Sequence, residues 1–403
     1  MVVVVVVGLT TLAQIGTVMG IAVFPVIAPK LAAEMGVEPS LVGFQMSLIY
    51  GAAMLSSPLL TWMVTRHGAC RAIQVGLLFS VVALALALLS GLAALIAASI
   101  LLGAAMSVMT PAAAHILFRF SPPRHRNLLF SIKQTCVPAG WMIVALVAPP
   151  VALMYGWKWA IAVVMVFALV MTAALQPVRT LWDDDRTPQA GGVRQQAREG
   201  LALLWRVAEL RWLSMASMFM SGVQLCLSSF AVTMLVQEAR YDLVAAGLML
   251  SVAQGAGVTG RIIWGWIADR YGNCLAMLLR LSGVMVLCCC AMAFVTPQWP
   301  REVMALLFLV FGASAIGWNG LFLAEVARLS PQGKVSIATS GAMAWNFAGI
   351  LMGPALFAVL YRFNGSYAHT FGWLTLFAIA GFGALLMTAA SARRAAAQGG
   401  ARA

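Results

Sequence analysis

Three basic side chains lie deep inside apolar stretches of this 403-residue chain: Lys133, Arg261 and Arg280. Lys133 follows Arg126 by seven residues, Arg261 precedes Asp269 by eight, and Arg280 follows Asn273 by seven. On a helix these spacings put each charge about 10–12 Å from a segment end. A charge at that depth in a bilayer costs roughly 2.5–3.5 kcal/mol even on lenient scales, so each requires a reason. No Asp or Glu stands at comparable depth. Asp269 and Glu325 fall at segment ends, and Glu34, Glu38, Glu238, Asp242 and Glu302 fall between segments. Buried cations without matching carboxylates suit an anionic ligand and disfavour a cationic one. Arg261 carries a planar fork of donors that fits a carboxylate bidentately, which an ammonium does not imitate. Gly257 and Gly265 share one helical face and leave room around it. Pro138 is expected to loosen the helix after Lys133 and to free a carbonyl there. Arg280 is expected to snorkel or pack instead.

The elements that carry these residues follow from composition. Hydrophobic residues make up 62% of the chain and charged residues 9%, with mean hydropathy +0.94. Apolar runs of this length read as membrane-spanning helices. Twelve can be drawn, at 2–29, 40–64, 72–90, 92–118, 127–150, 157–178, 212–236, 243–267, 275–296, 303–327, 335–360 and 370–391. Net charge is +13, and of the 25 Lys and Arg seventeen fall on the side of the N-terminus. Only Lys30, Lys158, Arg240, Arg301 and Arg362 fall on the other side. The positive-inside bias therefore places both termini in the cytoplasm, and the charge predicts topology rather than a nucleic-acid partner. The run at Val2–Val7 has no basic leader and reads as a retained first helix, although the start could lie upstream of Met1.

Two octapeptides punctuate the runs. Gly265-Trp266-Ile267-Ala268-Asp269-Arg270-Tyr271-Gly272 ends one, and Thr61-Trp62-Met63-Val64-Thr65-Arg66-His67-Gly68 ends another. Arg66 matches Arg270 and Gly68 matches Gly272, each 204 residues apart, while Thr65 stands where the later copy has Asp269. Gly103 and Arg119-Phe120-Ser121-Pro122 parallel Gly312 and Arg328-Leu329-Ser330-Pro331 at an offset of 209. Ser131-Ile132-Lys133-Gln134-Thr135 parallels Ser336-Ile337-Ala338-Thr339-Ser340 at 205. Repeats at half the chain length indicate internal duplication. The longest polar break, 179–211, divides a first bundle (1–178) from a second (212–392), with a short tail at 393–403. Its Asp183-Asp184-Asp185 triplet reads as a solvated loop.

The later octapeptide resembles the Gly-x-x-x-Asp-Arg-x-Gly loop motif of the major facilitator superfamily of secondary transporters. Span count, linker position and topology extend that resemblance over essentially the whole chain. It implies an all-α membrane protein of twelve transmembrane helices in two pseudo-symmetric six-helix bundles. Its gating set would be Gly265, Asp269, Arg270, Gly272, Arg66, Gly68 and the inner ion pair of Glu325 with Arg328 or Arg270. The expected physics is close helix approach at Gly265, a turn at Gly272 and an Asp-Arg latch on neighbouring helix ends. In this family helices one, four, seven and ten line the cavity, which favours Gln14, Gln224 and Asn319. Trp318, Asn346 and Gln134 are further candidates for the substrate pocket. His115, the one histidine inside a run, is a candidate for proton coupling. Arg261, one turn before Gly265, is similar to the eighth-helix arginine that binds the substrate carboxylate in the monocarboxylate and oxalate/formate transporters. Helices five and eight are neighbours in this fold, so Lys133 and Arg261 would face one anion. The chain departs from the monocarboxylate pattern in lacking the first-helix lysine.

No phosphate-binding loop, zinc-type His/Glu spacing or nucleophile elbow is present, which argues against an enzyme and against ATP-driven transport. The consecutive Cys288, Cys289 and Cys290 point in different directions on a helix, so neither a metal site nor a cofactor is expected. The reading is a monomeric, multi-pass inner-membrane carrier of a small organic anion, expected to be a carboxylate, working by proton symport or anion exchange. Two other classes remain open: a proton-coupled exporter of neutral or cationic molecules, and a transporter-fold sensor or scaffold that moves nothing.

Overall fold

The computed structural model describes residues 2–89, 91–120, 129, 132–184, 203–271, 273–331 and 335–400. These residues are almost entirely helical, with no strand among them. The first half contains α1 (Val2–Val26), a short α2 (Ala28–Met35), α3 (Val42–His67), α4 (Ala69–Ala87), α5 (Leu92–Phe120), α6 (Cys136–Tyr155), α7 (Trp157–Ala174) and the single turn α8 (Arg179–Trp182). The second contains α9 (Ala208–Gln237), α10 (Leu243–Tyr271), α11 (Cys274–Met292), α12 (Arg301–Ala315), α13 (Asn319–Leu329), α14 (Val335–Asn364) and α15 (Tyr367–Gly400). Eleven spans among the described residues are long and apolar enough to cross a membrane. The 26-residue α3 is a further long helix, with side chains 57–62 and 65 outside the description.

The expected runs recur as helices with one correction. The tenth is broken: α12 stops at Ala315 and α13 starts at Asn319, with a turn over 316–318 between them. Gly317 stands in that turn, where a residue without a Cβ costs the helix least to interrupt.

Two compact units emerge: Met1–Gly191 with Ser229–Ser251, and Gly192–Ser228 with Val252–Ala403. The segment 229–251, assigned by sequence to the second bundle, clusters with the first because its helix packs on α6. There Gly247 lies against the Ala145 carbonyl and Pro149, and Ser251 Oγ donates to the Met142 carbonyl at 3.3 Å.

The repeat seen in the sequence reappears as packing inside each unit. Gly103 of α5 presses on the Ile49 carbonyl of α3, and Gly312 of α12 presses on the Ala253 carbonyl of α10. The two glycines are 209 residues apart and the two carbonyls 204. At both places any Cβ would collide with backbone, so the helices cross at glycine contact distance. Gly265 behaves otherwise. Among the described residues a Cβ there would meet nothing within 4 Å, and Ile262 and Trp266 near it are exposed, so no close helix approach is seen at this position among them.

Candidate functional site

Two polar pairs stand at equivalent places in the two units. In the first, Gln14 Nε2 of α1 donates to Thr110 Oγ1 of α5 at 3.4 Å. In the second, Asn319 Nδ2 of α13 donates to Gln224 Oε1 of α9 at 3.1 Å. Gln224 follows Gln14 by 210 residues and Asn319 follows Thr110 by 209. Three of the amides singled out in the sequence thus occupy repeat-related positions. Gln14 is 3% exposed, yet its Oε1 has no hydrogen-bond partner among the described residues. Asn346 on α14 is equally buried; Ser221 donates to its carbonyl at 2.8 Å, while its Nδ2 has no partner among the described residues. Such orphaned buried polar atoms are uncommon and require a ligand, water or strain to account for them.

Lys133 stands just before α6, with Thr135 in a turn between them. It is 2% exposed. Pro138 supplies no N–H to the Gln134 carbonyl, which accounts for the irregular start of the span. The other buried charges among the described residues, Asp183 and Glu325, are each engaged. No carboxylate pairs with Lys133 among the described residues. Gln134 beside it is half-buried and has interactions of its own.

Arg261 is half-buried on α10. Its Nε donates to the Ile316 carbonyl at 3.1 Å, in the turn that separates α12 from α13. Trp264, one turn later on α10, donates from Nε1 to the Ala313 carbonyl at 2.8 Å. Trp318 is fully buried and donates to the Ala315 carbonyl at 3.0 Å, and Asn319 Nδ2 also reaches the Ile316 carbonyl at 3.4 Å. A helix interrupted inside a membrane leaves carbonyls that only side chains or water can satisfy, and these four side chains do so. The structure thus commits the Trp318 N–H to the break and gives Arg261 a carbonyl partner. Arg280 is exposed on α11.

The candidate gating residues divide between the units. Arg270 is exposed and lies over the Trp266 ring at 6.0 Å. Gly272 and the side chain of Asp269 lie outside the described residues. Glu325 is buried and is held bidentately by Arg328, from Nε at 2.9 Å and from Nη2 at 2.6 Å. Of the two expected partners, Arg328 is the one observed. Arg66 is exposed at the end of α3, and His115 is exposed on α5.

At Gly68 the structure shows what sequence reasoning missed. Asp183 is buried to 1% exposure, not solvated. Its Oδ1 accepts the Cys70 N–H at 2.7 Å and its Oδ2 accepts the Arg71 N–H at 3.1 Å, so it caps α4 from 113 residues away. Gly68, at φ +97°, is the position where a side chain would overlap this carboxylate. Asp184 pairs with Arg119 at 2.5 Å, and that hydrogen bond holds its carboxyl below the usual range. Asp185 lies outside the described residues. The carboxylate at this helix start thus comes from beyond α7.

Comparison with known proteins places this architecture. The sequence profile of the Major Facilitator Superfamily matches residues 10–354. An uncharacterized MFS-type transporter of Mycobacterium tuberculosis is 25% identical over 211 residues, covering 51% of this chain and 45% of that protein. The MFS transporter asaE of Aspergillus flavus is 22% identical over 273 residues, covering 66% and 58%. The chain spans about half the length of the curated relatives it matches. Among solved structures, a peptide transporter POT in complex with sulfate superposes with TM-score 0.75 at 16% identity, covering 96% of this chain and 94% of that one. A bacterial homolog of the human lysosomal transporter Spinster, inward-facing and unoccupied, gives 0.68 at 15% identity, covering 96% of each. The profile match over most of the chain, on an all-helical fold with repeat-related halves, establishes that this protein belongs to the Major Facilitator Superfamily, a family of transporters rather than enzymes.

Proposed function

We propose that this protein is a secondary active transporter of a small organic anion, most simply a carboxylate, working by alternating access. The observation that carries the reading is Lys133: a cation 2% exposed, beside a proline-loosened helix start, with no carboxylate paired to it among the described residues. Leaving such a charge without a counter-ion is costly, and an anionic substrate relieves that cost. Gln14, with its open Oε1, and Asn346, with its open Nδ2, are proposed as polar contacts. Arg261, Gln224 and Asn319 are proposed to contribute from the region around the α12–α13 break. An uncompensated cation would also hinder the empty carrier from reorienting, which favours proton symport or anion exchange over uniport.

The test is a thermal-shift screen of the purified protein against organic anions, neutral sugars and cationic drugs, repeated with Lys133→Met. One carboxylate class should stabilise the wild type, with affinity at least about tenfold lower in the variant, roughly 1.4 kcal/mol. Counterflow in liposomes with the same compound should then show exchange. Stabilisation by cations or neutral solutes alone would overturn the anion reading in favour of an exporter. Binding without counterflow would make the protein a sensor.

A further inference from the structure

Helices α1 and α6 cross at a glycine of the first unit. Gly140 of α6 lies against the Val18 side chain and the Ile15 carbonyl of α1. These are the first and fifth of the long helices, which alternate in direction, so a step back along either leads to the same side of the crossing. Lys133 precedes Gly140 by seven residues, and Thr11 precedes Val18 by seven. Each step is about 10 Å along its helix, so Thr11 and Lys133 stand at one level. Seven residues are close to two full turns, so Thr11 shares the face that Val18 turns towards α6. Gln14, four residues before Val18, lies near that face and one turn closer to the crossing.

Thr11 is half-buried, and its Oγ1 is buried with no hydrogen-bond partner among the described residues. A helical threonine can donate to a carbonyl one turn back, as Thr10 does to Val6 at 2.7 Å. Thr11 makes no such bond, and Gln14 Oε1 one turn on is orphaned as well. The second unit holds the settled version of this arrangement. At the offset of 210 that relates Gln14 to Gln224, Thr11 corresponds to Ser221, whose Oγ donates to the Asn346 carbonyl at 2.8 Å. At the offset of 205 Lys133 corresponds to Ala338. The hydroxyl is closed off by backbone in the unit that lacks the cation and left open in the unit that has it.

A carboxylate satisfies Lys133 but cannot satisfy Gln14 Oε1, because both are acceptors. That oxygen needs a donor, and the Thr11 hydroxyl takes either role. A hydroxyl on the anion is donor and acceptor at once and serves both. An ammonium would donate too, but beside Lys133 it meets a like charge.

We infer that Thr11 and Gln14 form, with Lys133, a subsite that recognises a hydroxyl on the transported anion, so that hydroxy acids are preferred to their deoxy analogues. This selectivity rests on the anion reading proposed above, and Thr11 is the specificity-determining residue that it adds.

Half-saturating concentrations are to be read from thermal shifts of the full chain in detergent, with three pairs of acids: glycolate and acetate, malate and succinate, mandelate and phenylacetate. At least one hydroxy acid should bind the wild type about tenfold more tightly than its deoxy partner. Thr11→Val keeps the shape and removes the hydroxyl. It should weaken the hydroxy acid about tenfold and the deoxy acid less than about twofold, so that the preference collapses. Thr11→Ser should retain the preference, and Lys133→Met should weaken both members of the pair alike. Equal binding within every pair by the wild type would overturn the selectivity and leave the anion reading standing. A Thr11→Val protein that keeps the preference would overturn it too. A fall in its Tm without that change would assign the open hydroxyl to a buried water. Binding of neither member of any pair would instead remove the anion reading, and the selectivity with it.

Discussion

Asp183 accepts the backbone N–H of Cys70 at 2.7 Å, across 113 residues of sequence. With the Arg71 N–H it satisfies two first-turn donors of α4 at once, in a place nearly closed to water. Replacing Asp183 with Ala would strand both, at a cost of roughly 1–3 kcal/mol. Gly68→Ala should cost about as much by a separate route, through positive φ and overlap with the carboxylate. Thermal unfolding in detergent checks both, and the double variant should lose less than the sum because the two changes disrupt one contact.

The Arg119–Asp184 pair predicts a pH effect. The Arg119 hydrogen bond lowers the Asp184 carboxyl below its unfolded value. Its contribution is therefore present above the ordinary aspartate pKa of about 3.9 and fades as pH falls through the lower folded value. Asp184 is 53% exposed, so the effect is small and screened by salt. The Tm difference between wild type and Asp184→Asn should be visible at pH 6 in low salt. It should vanish in 1 M salt and shrink as pH falls below the ordinary aspartate range.

The bond between Gln224 and Asn319 should be measurable by a double-mutant cycle. Coupling of about 0.6 kcal/mol is typical between membrane helices. Gln224→Leu and Asn319→Leu should each destabilise, and their combination should fall short of additive by about that amount. The same cycle on Gln14 and Thr110 should give a smaller value, since that bond is longer, 3.4 Å against 3.1 Å.

Trp264→Phe should remove the donor to the Ala313 carbonyl and cost about 1–2 kcal/mol. Arg261→Lys should cost less, because Asn319 still reaches the Ile316 carbonyl. Hydrogen exchange over residues 313–320 should quicken in Trp264→Phe if the side chain holds the break in place. Unchanged exchange there would assign Trp264 to packing alone.

Much of the architecture was legible in the chain because membrane helices obey few rules. Long apolar runs must span, basic loops must lie on one side, and a duplicated motif must fold alike twice. These rules predicted the positions of the long helices and the repeat offsets. They did not reveal the α12–α13 break, because Gly317 in an apolar run reads the same whether the helix continues or stops. What decides it is Arg261 and Trp264 on another helix, which give the vacated carbonyls their donors. The role of Asp183 was hidden for the same reason. A carboxylate in a polar, charge-rich linker carries no mark of burial, and only the fold brings it to the end of a helix begun 113 residues earlier. Composition and periodicity determine what each segment must bury, whereas the partner of each polar group is a long-range contact that exists only once the helices have packed.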